Sequence, residues 1–208
     1  MIKTKIKDTE LVKKRQKQIC RGAMKVFQKK GYHDASIREI AKSSRISLGS
    51  LYDYIEKKED ILFLVHNNIL EELYRDYEEI GDKYGNYINK FIKLVREGFY
   101  NTSFFREELL FIYTETKSLD KENRQEILKK ESSYVDFIEG LIEEGNRQGV
   151  FECKKPGIYA NILTFLLIII PLRGWNILPR FSEEEMLEEL ISMILKGLNV
   201  KGEPYIPK

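Results

Sequence analysis

Two short stretches decide the fold of this chain: Ser36-Ile37-Arg38-Glu39-Ile40-Ala41 and, after a short bridge, Ser47-Leu48-Gly49-Ser50-Leu51-Tyr52-Asp53-Tyr54. Each begins with a serine and continues with apolar residues three and four positions apart, the spacing of one face of an α-helix. The bridge leaves room for only a tight turn. The pattern therefore predicts a helix-turn-helix, a motif whose second helix can enter the major groove of DNA.

Serine side chains are suited to cap the N-termini of both predicted helices. The Ser36 hydroxyl can accept from the backbone N–H of Glu39 while the Glu39 carboxylate accepts from the Ser36 N–H, which is a capping box. Ser47 is the expected N-cap of the second helix. Because helices of fewer than about 12 residues are marginal alone, a third helix must support them. It is predicted over residues 10–30, ending at Gly31, from four apolar residues at helical spacing: Ile19, Ala23, Val26 and Phe27.

Charge is divided unequally along the chain. Residues 1–60 contain 16 Lys plus Arg and 8 Asp plus Glu, a net charge of +8, whereas residues 61–208 carry a net charge of −6. Such a basic head suits a polyanion whose phosphates release counterions on contact. Charge alone leaves two partners open: DNA, or a membrane surface met by a helical hydrophobe-binding protein.

Four motifs follow one another at fixed spacing between about residue 13 and residue 64. They are Phe27-x-x-x-Gly31-Tyr32, Ser36-x-x-x-Ile40-Ala41, Ile46-Ser47-x-Gly49-x-Leu51-Tyr52-x-Tyr54 and Lys58-Glu59-Asp60-Ile61-Leu62. In this order and spacing the run resembles the DNA-binding domain of the tetracycline-repressor (TetR) family of bacterial transcriptional regulators. The resemblance implies an all-α homodimer with an N-terminal helix-turn-helix domain (1–57) and a larger C-terminal helical domain for ligand binding and dimerisation (58–208).

The resemblance also implies particular DNA contacts. Arg38 reaches a base edge or a phosphate, since its planar fork fits either. Gly49 lets the backbone approach closely, and the Tyr52 ring presses on a base, with a core position as its alternative. Tyr54 and Lys58 grip phosphates. The full expected set is Ser36, Arg38, Arg45, Ser47, Leu48, Gly49, Ser50, Tyr52, Asp53, Tyr54 and Lys58.

Three positions depart from the family pattern. Arg45 stands in the turn where a glycine is frequent, Ile55 where an aromatic residue is usual, and Lys57 where a small capping residue is common. A non-glycine residue in a left-handed turn costs on the order of 1 kcal/mol, which a packed three-helix unit can absorb. Arg45 can add a phosphate contact in return, whereas Lys57 cannot cap the helix that follows it.

The rest of the chain reads as a second, larger all-α domain. Its length of roughly 150 residues is enough for one core of ordinary size. Breaks are expected at Gly85, at Lys155-Pro156-Gly157 and at Pro179. The predicted helices are 58–80, 87–101, 106–116, 121–148, 155–172 and 183–198.

The stretch from Ile162 to Leu172 is apolar on all sides. It is too short to span a bilayer, which takes about 20 apolar residues, so it is buried in its own domain or by a second chain. The resemblance implies that the last two long helices pack with those of a second subunit as a four-helix bundle. We therefore expect a homodimer through about 158–172 and 183–198, whose two heads read a palindrome.

The second domain is rich in large aromatic rings. The resemblance implies that some of them line a cavity for a small apolar or amphipathic effector, which shifts the population towards a form that no longer fits the operator. A plain core position is the alternative for each ring. The candidate ligand-binding residues are Phe99, Phe104, Phe111, Tyr134, Phe137, Phe165 and Trp175.

Enzymatic motifs are missing from the sequence. It contains no phosphate-binding Gly-rich loop, no zinc-spaced Cys or His set and no nucleophile elbow, so no catalytic residue, cofactor or metal is expected. A helical enzyme with its acids in the large domain is the remaining alternative of that class. Cys20 and Cys153 suit reduced thiols, and the charged start is unlike a signal peptide. The sequence thus predicts a cytoplasmic transcriptional regulator that acts as a repressor and has no membrane partner.

Overall fold

The computed structural model describes residues 8–74 and 86–200, and within these ranges the chain is helical, with no strand. The predicted all-α fold class is confirmed. Besides a 3-10 turn at Thr116–Ser118, the helices are α1 (Thr9–Asp34), α2 (Ile37–Ser43), α3 (Leu48–Leu51), α4 (Lys58–Tyr74), α5 (Tyr87–Phe104), α6 (Arg106–Glu115), α7 (Lys121–Arg147), α8 (Pro156–Leu167), α9 (Ile169–Ile177) and α10 (Glu183–Gly197).

The described residues form two compact units. The first contains those of Met1–Glu72 together with Phe111–Lys129, and the second contains those of Leu73–Leu110 together with Lys130–Lys208. The boundary expected between residues 57 and 58 coincides with the start of α4, inside the first unit. As a functional domain boundary it stays a prediction.

The first unit is built on α1. Its apolar face packs with α2, α3 and the start of α4 around side chains that are almost completely buried. Regular helical geometry ends at Gly31 as predicted, because that glycine has a φ of 79° and a ψ of 168°, and one further helical turn follows it to Asp34. Glycine reaches this left-handed conformation without steric cost. The central buried residues of this core are Ile19, Phe27, Ile40, Leu51 and Ile61.

Side-chain caps start the helices of the first unit. The capping box is confirmed, because Ser36 Oγ accepts from the Glu39 N–H at 3.2 Å and Glu39 Oε2 accepts from the Ser36 N–H at 3.1 Å. Ser47 Oγ accepts from the N–H of Ser50, as expected for the N-cap of α3. At α4, where Lys57 offers no cap, the buried carboxylate of Asp60 accepts from the N–H of Lys57 at 3.0 Å.

The second unit encloses a continuous apolar core. The inner faces of α5, α7, α8 and α10 meet there, so their apolar residues are buried within one chain. Its most deeply buried side chains include Leu94, Phe99, Ile138, Ile142, Leu163 and Leu187.

The helix predicted over 155–172 is interrupted, which corrects that prediction. It divides at Ile168 into α8 and α9, which bend by 50°. Pro171 explains the break, because proline has no N–H to bond the carbonyl four residues earlier and its ring crowds that carbonyl. The freed carbonyl of Leu167 accepts instead from the hydroxyl of buried Thr102 on α5.

The other predicted helices agree with the structure to within a few residues. The last part of the helix expected over 58–80, and the break expected at Gly85, lie outside the described residues. Among the helices that the structure describes, none is by itself long and apolar enough to cross a bilayer. Only α8 and α9 taken together, across their bend, reach that length and composition.

We expect Thr102→Val to lower the free energy of unfolding by about 1–3 kcal/mol, because it leaves the buried Leu167 carbonyl without a donor. Chemical denaturation measures the loss. The matched control is the same substitution in a Pro171→Ala background, where residue 171 regains an N–H that can bond Leu167. An equal loss in both backgrounds would contradict the role assigned to Thr102.

Candidate nucleic-acid interface

The turn between α2 and α3 is closed by two backbone hydrogen bonds. The Ile46 N–H donates to the carbonyl of Ala41 and the Arg45 N–H donates to that of Lys42, both at 3.1 Å. This pairing requires a left-handed residue just after the helix, and Arg45 takes that conformation with a φ of 54°. A non-glycine residue therefore occupies the left-handed position of the turn, as predicted, and the Arg45 side chain is exposed.

Helix α1 holds this turn from behind. The Gln18 side-chain amide donates to the Ser44 carbonyl at 2.6 Å, and Arg15 donates to Gln18 Oε1 at 2.7 Å. Gly22 lies directly against Ser44, since a Cβ at position 22 would come within 2.0 Å of Ser44 Oγ. Gln18, Gly22 and Ser44 had no predicted role. A glycine in the middle of a predicted helix was the one available signal.

The predicted reading residues remain open to solvent. Arg38 and Gly49 are exposed, and Tyr52 is 41% exposed, so in this structure its ring is no core residue. Nothing lies within 4 Å of the position that a Cβ on Gly49 would take. This surface can therefore meet a base edge or a phosphate without rearrangement of the core. Of the other predicted contacts, Ser36, Arg45 and Ser47 are exposed, and Leu48, Ser50 and Asp53 are half-buried.

Two of the predicted contacts have partners within the first unit in this structure, and their contacts with DNA stay a prediction. Tyr54 is only 2% exposed and packs in the core of the first unit. The Lys58 ammonium donates to the carbonyls of Tyr32, His33 and Ala35 at 2.8–2.9 Å and lies 4.5 Å from the centre of the Tyr32 ring. An ammonium has three N–H donors, and in this structure these three carbonyls take all of them. Both residues hold the fold here.

The start of α2 keeps its charge over the usual pH range. Glu39 accepts hydrogen bonds from Lys30 and from Ser36, which together lower the pKa of Glu39 to about 2. A carboxylate at a helix N-terminus is also favoured by the helix dipole. Because its pKa is lowered, Glu39 loses its charge only at strongly acid pH, and the capping box persists wherever DNA binding is measured.

Comparison with known proteins decides the family. Residues 19–65 match the family model described as bacterial regulatory proteins, tetR family, and residues 84–198 match that of the tetracyclin repressor-like C-terminal domain. The chain belongs to the TetR family. It is a DNA-binding transcriptional regulator, and the first match contains the entire α2–turn–α3 surface.

Individual TetR proteins resemble the chain over most of its length. The HTH-type transcriptional regulator HbdR of Aromatoleum sp. (strain CIB) is 26% identical over 208 residues, which cover 100% of this chain and 91% of HbdR. The fatty acid metabolism regulator protein of Bacillus subtilis (strain 168) is 25% identical over 132 residues, 64% of this chain and 68% of that protein. The crystal structure of AibR with isovaleryl coenzyme A and operator DNA shares the fold, with a TM-score of 0.70 and 23% identity over 86% of this chain and 97% of that chain.

The predicted ligand-binding aromatics of this TetR regulator do not converge on one cavity. Phe99 is fully buried in the core of the second unit, and Phe111 belongs to the first unit, where it stacks on Phe27 at 5.1 Å. Phe165 and Trp175 are 56% and 75% exposed. Phe99 and Phe111 thus take packed positions, the alternative predicted for each ring, whereas Phe165 and Trp175 lie at the surface, which neither alternative predicted.

The remaining three candidates line either a cluster of rings or a groove. Tyr134 stacks on Tyr74 with a centroid distance of 4.2 Å, and Phe137 lies 6.4 Å from Tyr134, all within the second unit and partly buried. Phe104 lies at a shallow groove shared by the end of α5, the start of α6 and Glu183 of α10. That groove is polar and open, unlike an enclosed pocket for an apolar ligand.

We expect Arg45→Gly to raise the free energy of unfolding by up to about 1 kcal/mol, because it relieves the left-handed conformation, less the extra freedom of glycine in the unfolded chain. The same variant should bind DNA more weakly if Arg45 contacts a phosphate. Arg45→Ala is the matched control: it keeps the Cβ and removes the charge. Denaturation and DNA titration should therefore show weaker binding in both variants and a stability gain in Arg45→Gly alone. A gain in both variants would contradict the account of the turn.

Proposed function

We propose that this TetR regulator is a homodimeric repressor that binds a palindromic operator in the cytoplasm and is released by a small apolar or amphipathic effector. One observation carries the proposal: Gly49 of α3 and Tyr52 directly after it are exposed beside a turn that α1 fixes through Gln18 and Gly22. A reading helix held by rigid support can enter a major groove at a defined angle. Arg38 and Tyr52 supply the planar and aromatic groups that distinguish bases there.

An exposed apolar stripe supports the dimer. Ile158, Ile162 and Phe165 lie on one face of α8, at spacings of four and three residues, and each is at least half exposed. Met193 adds a further exposed apolar side chain on α10. Burying these groups against a second copy removes their apolar surface from water. Two linked heads then read two half-sites about one helical turn or a multiple of it apart, which gives a single small head the selectivity it lacks.

The effector class rests on two kinds of support. The Bacillus subtilis relative is named as a regulator of fatty acid metabolism, and the similar fold of AibR accommodates isovaleryl coenzyme A and operator DNA together. Within this chain, the partly buried rings of Tyr74, Tyr134 and Phe137 offer apolar surface in the second unit. An effector that favours one spacing of the two heads lowers operator affinity by its difference in affinity for the two forms.

Selection of random duplex DNA by the purified protein tests the reading surface. We expect a palindromic winner, bound steeply less well at high salt because phosphate contacts release counterions. Arg38→Ala and Tyr52→Ala should each reduce the preference for that winner over a scrambled duplex by roughly 5- to 150-fold, the value of about 1–3 kcal/mol per base contact. Tyr52→Phe is the matched control for loss of the hydroxyl alone. Absence of an enriched sequence would contradict the proposal.

A charged substitution tests the dimer. We expect Ile162→Glu to convert a dimer into a monomer, because it places an unpaired carboxylate inside the buried stripe. Sedimentation velocity separates the two species. Leu128→Glu is the control, since Leu128 is a similarly exposed apolar residue on α7 and the same change there should leave the dimer intact. A monomeric wild-type protein, or a dimer that tolerates Ile162→Glu, would rule out this interface.

A further inference from the structure

A stripe of three cations runs along the outer face of α1. Lys14, Arg21 and Lys25 are all exposed, and their separations of seven and four residues place them within about 40° of one another around the helix. At a rise of 1.5 Å per residue, the stripe is about 16 Å long, roughly the rise of five phosphates along one DNA strand. We call these three residues the α1 stripe.

The α1 stripe is left uncompensated, whereas three other cations of α1 are paired. Lys13 faces Glu10, Lys17 faces Glu72 and Lys30 faces Glu39 in ion pairs. Lys14, Arg21 and Lys25 form no ion pair or side-chain hydrogen bond with any residue in the described ranges. Like charges four residues apart on a helix, such as Arg21 and Lys25, disfavour it slightly, so the arrangement does not serve the fold.

The position of the α1 stripe relates it to the reading surface. Arg21 and Lys25 flank Gly22, whose backbone lies against Ser44 at the end of α2. The next residue in the chain is Arg45, which is exposed in its left-handed turn. The stripe therefore borders the α2–α3 turn, within the same compact unit, and extends the positive surface along α1.

We propose that the α1 stripe binds the phosphate backbone of DNA beside the major groove that α3 enters, as a sequence-independent clamp. DNA is the partner that fits, because the stripe borders a DNA-reading element and spans several regularly spaced phosphates. The clamp deepens the proposed function and rests on DNA binding by the first unit. It sets affinity and orientation, whereas Arg38 and Tyr52 set sequence preference, since phosphate contacts carry no base information.

The test compares the wild-type protein with a variant combining Lys14→Ala, Arg21→Ala and Lys25→Ala, titrated against the selected operator and a scrambled duplex between 50 and 200 mM salt. The slope of log K against log salt is negative, and each lost phosphate contact reduces its magnitude by about 0.9. Its magnitude should therefore decrease by about 2.7 per reading head. Between 50 and 200 mM salt, the ratio of the wild-type affinity to the variant affinity should therefore decrease about 40-fold per head. The operator-to-scrambled ratio should stay unchanged.

A second triple variant controls for overall charge. Lys154→Ala, Arg180→Ala and Lys196→Ala remove three exposed cations of the second unit and should leave the slope at the wild-type value. Thermal melting of both variants checks that each is folded. An unchanged slope in the stripe variant, or an equal fall in both variants, overturns the clamp. A wild type without sequence preference contradicts the proposed operator function instead, and the scrambled duplex still tests the clamp.

Discussion

Helices α1 and α2 approach each other so closely at Gly22 that no side chain fits between that residue and Ser44. The contact determines where α2 ends, and the amide of Gln18 fixes the same point by bonding the Ser44 carbonyl. The turn that follows must then be tight and left-handed, which Arg45 provides. Because α3 is only four residues long, it has almost no stability of its own. Its exposed reading face depends on this one close approach, and a rigid support of this kind is what a base-reading surface requires.

Part of the second unit is organised by the carbonyl of Leu167, which has no helical hydrogen-bond donor because Pro171 lacks an N–H. Pro171 divides one apolar helix into α8 and α9, and the Thr102 hydroxyl takes the Leu167 carbonyl that the proline leaves unpaired. An orphaned carbonyl in a core this apolar would be costly, so the break and its remedy belong together. The bend directs α9 away from the course of α8 by 50°. The exposed apolar stripe of Ile158, Ile162 and Phe165 proposed for the dimer lies on α8, before this bend.

Local chemistry made much of this fold predictable. The capping box at Ser36, the N-cap at Ser47 and the left-handed residue after α2 are decided within a few residues of sequence, and all three are found. The prediction of one continuous helix through Pro171 was wrong, although the proline is a local signal for a break. The continuous run of apolar residues was given more weight than the missing N–H of the proline. The role of Lys58 could not be predicted from the sequence, and that of Gly22 was signalled only by a glycine inside a predicted helix. Each depends on groups some 20 or more residues away that only the folded chain brings near.

Contacts that only the folded chain brings together also limit what charge composition says about DNA binding. The first 60 residues carry a net charge of +8, yet the fold uses part of it. Lys58 serves backbone carbonyls, Lys30 serves the capping box, and Lys57 pairs with Asp120 at 2.7 Å. A cation already bonded within the protein must give up that bond before it can neutralise a phosphate, so it contributes little to counterion release. The strength of a nucleic-acid surface follows from the cations that the fold leaves unused, and only a structure separates these from the total.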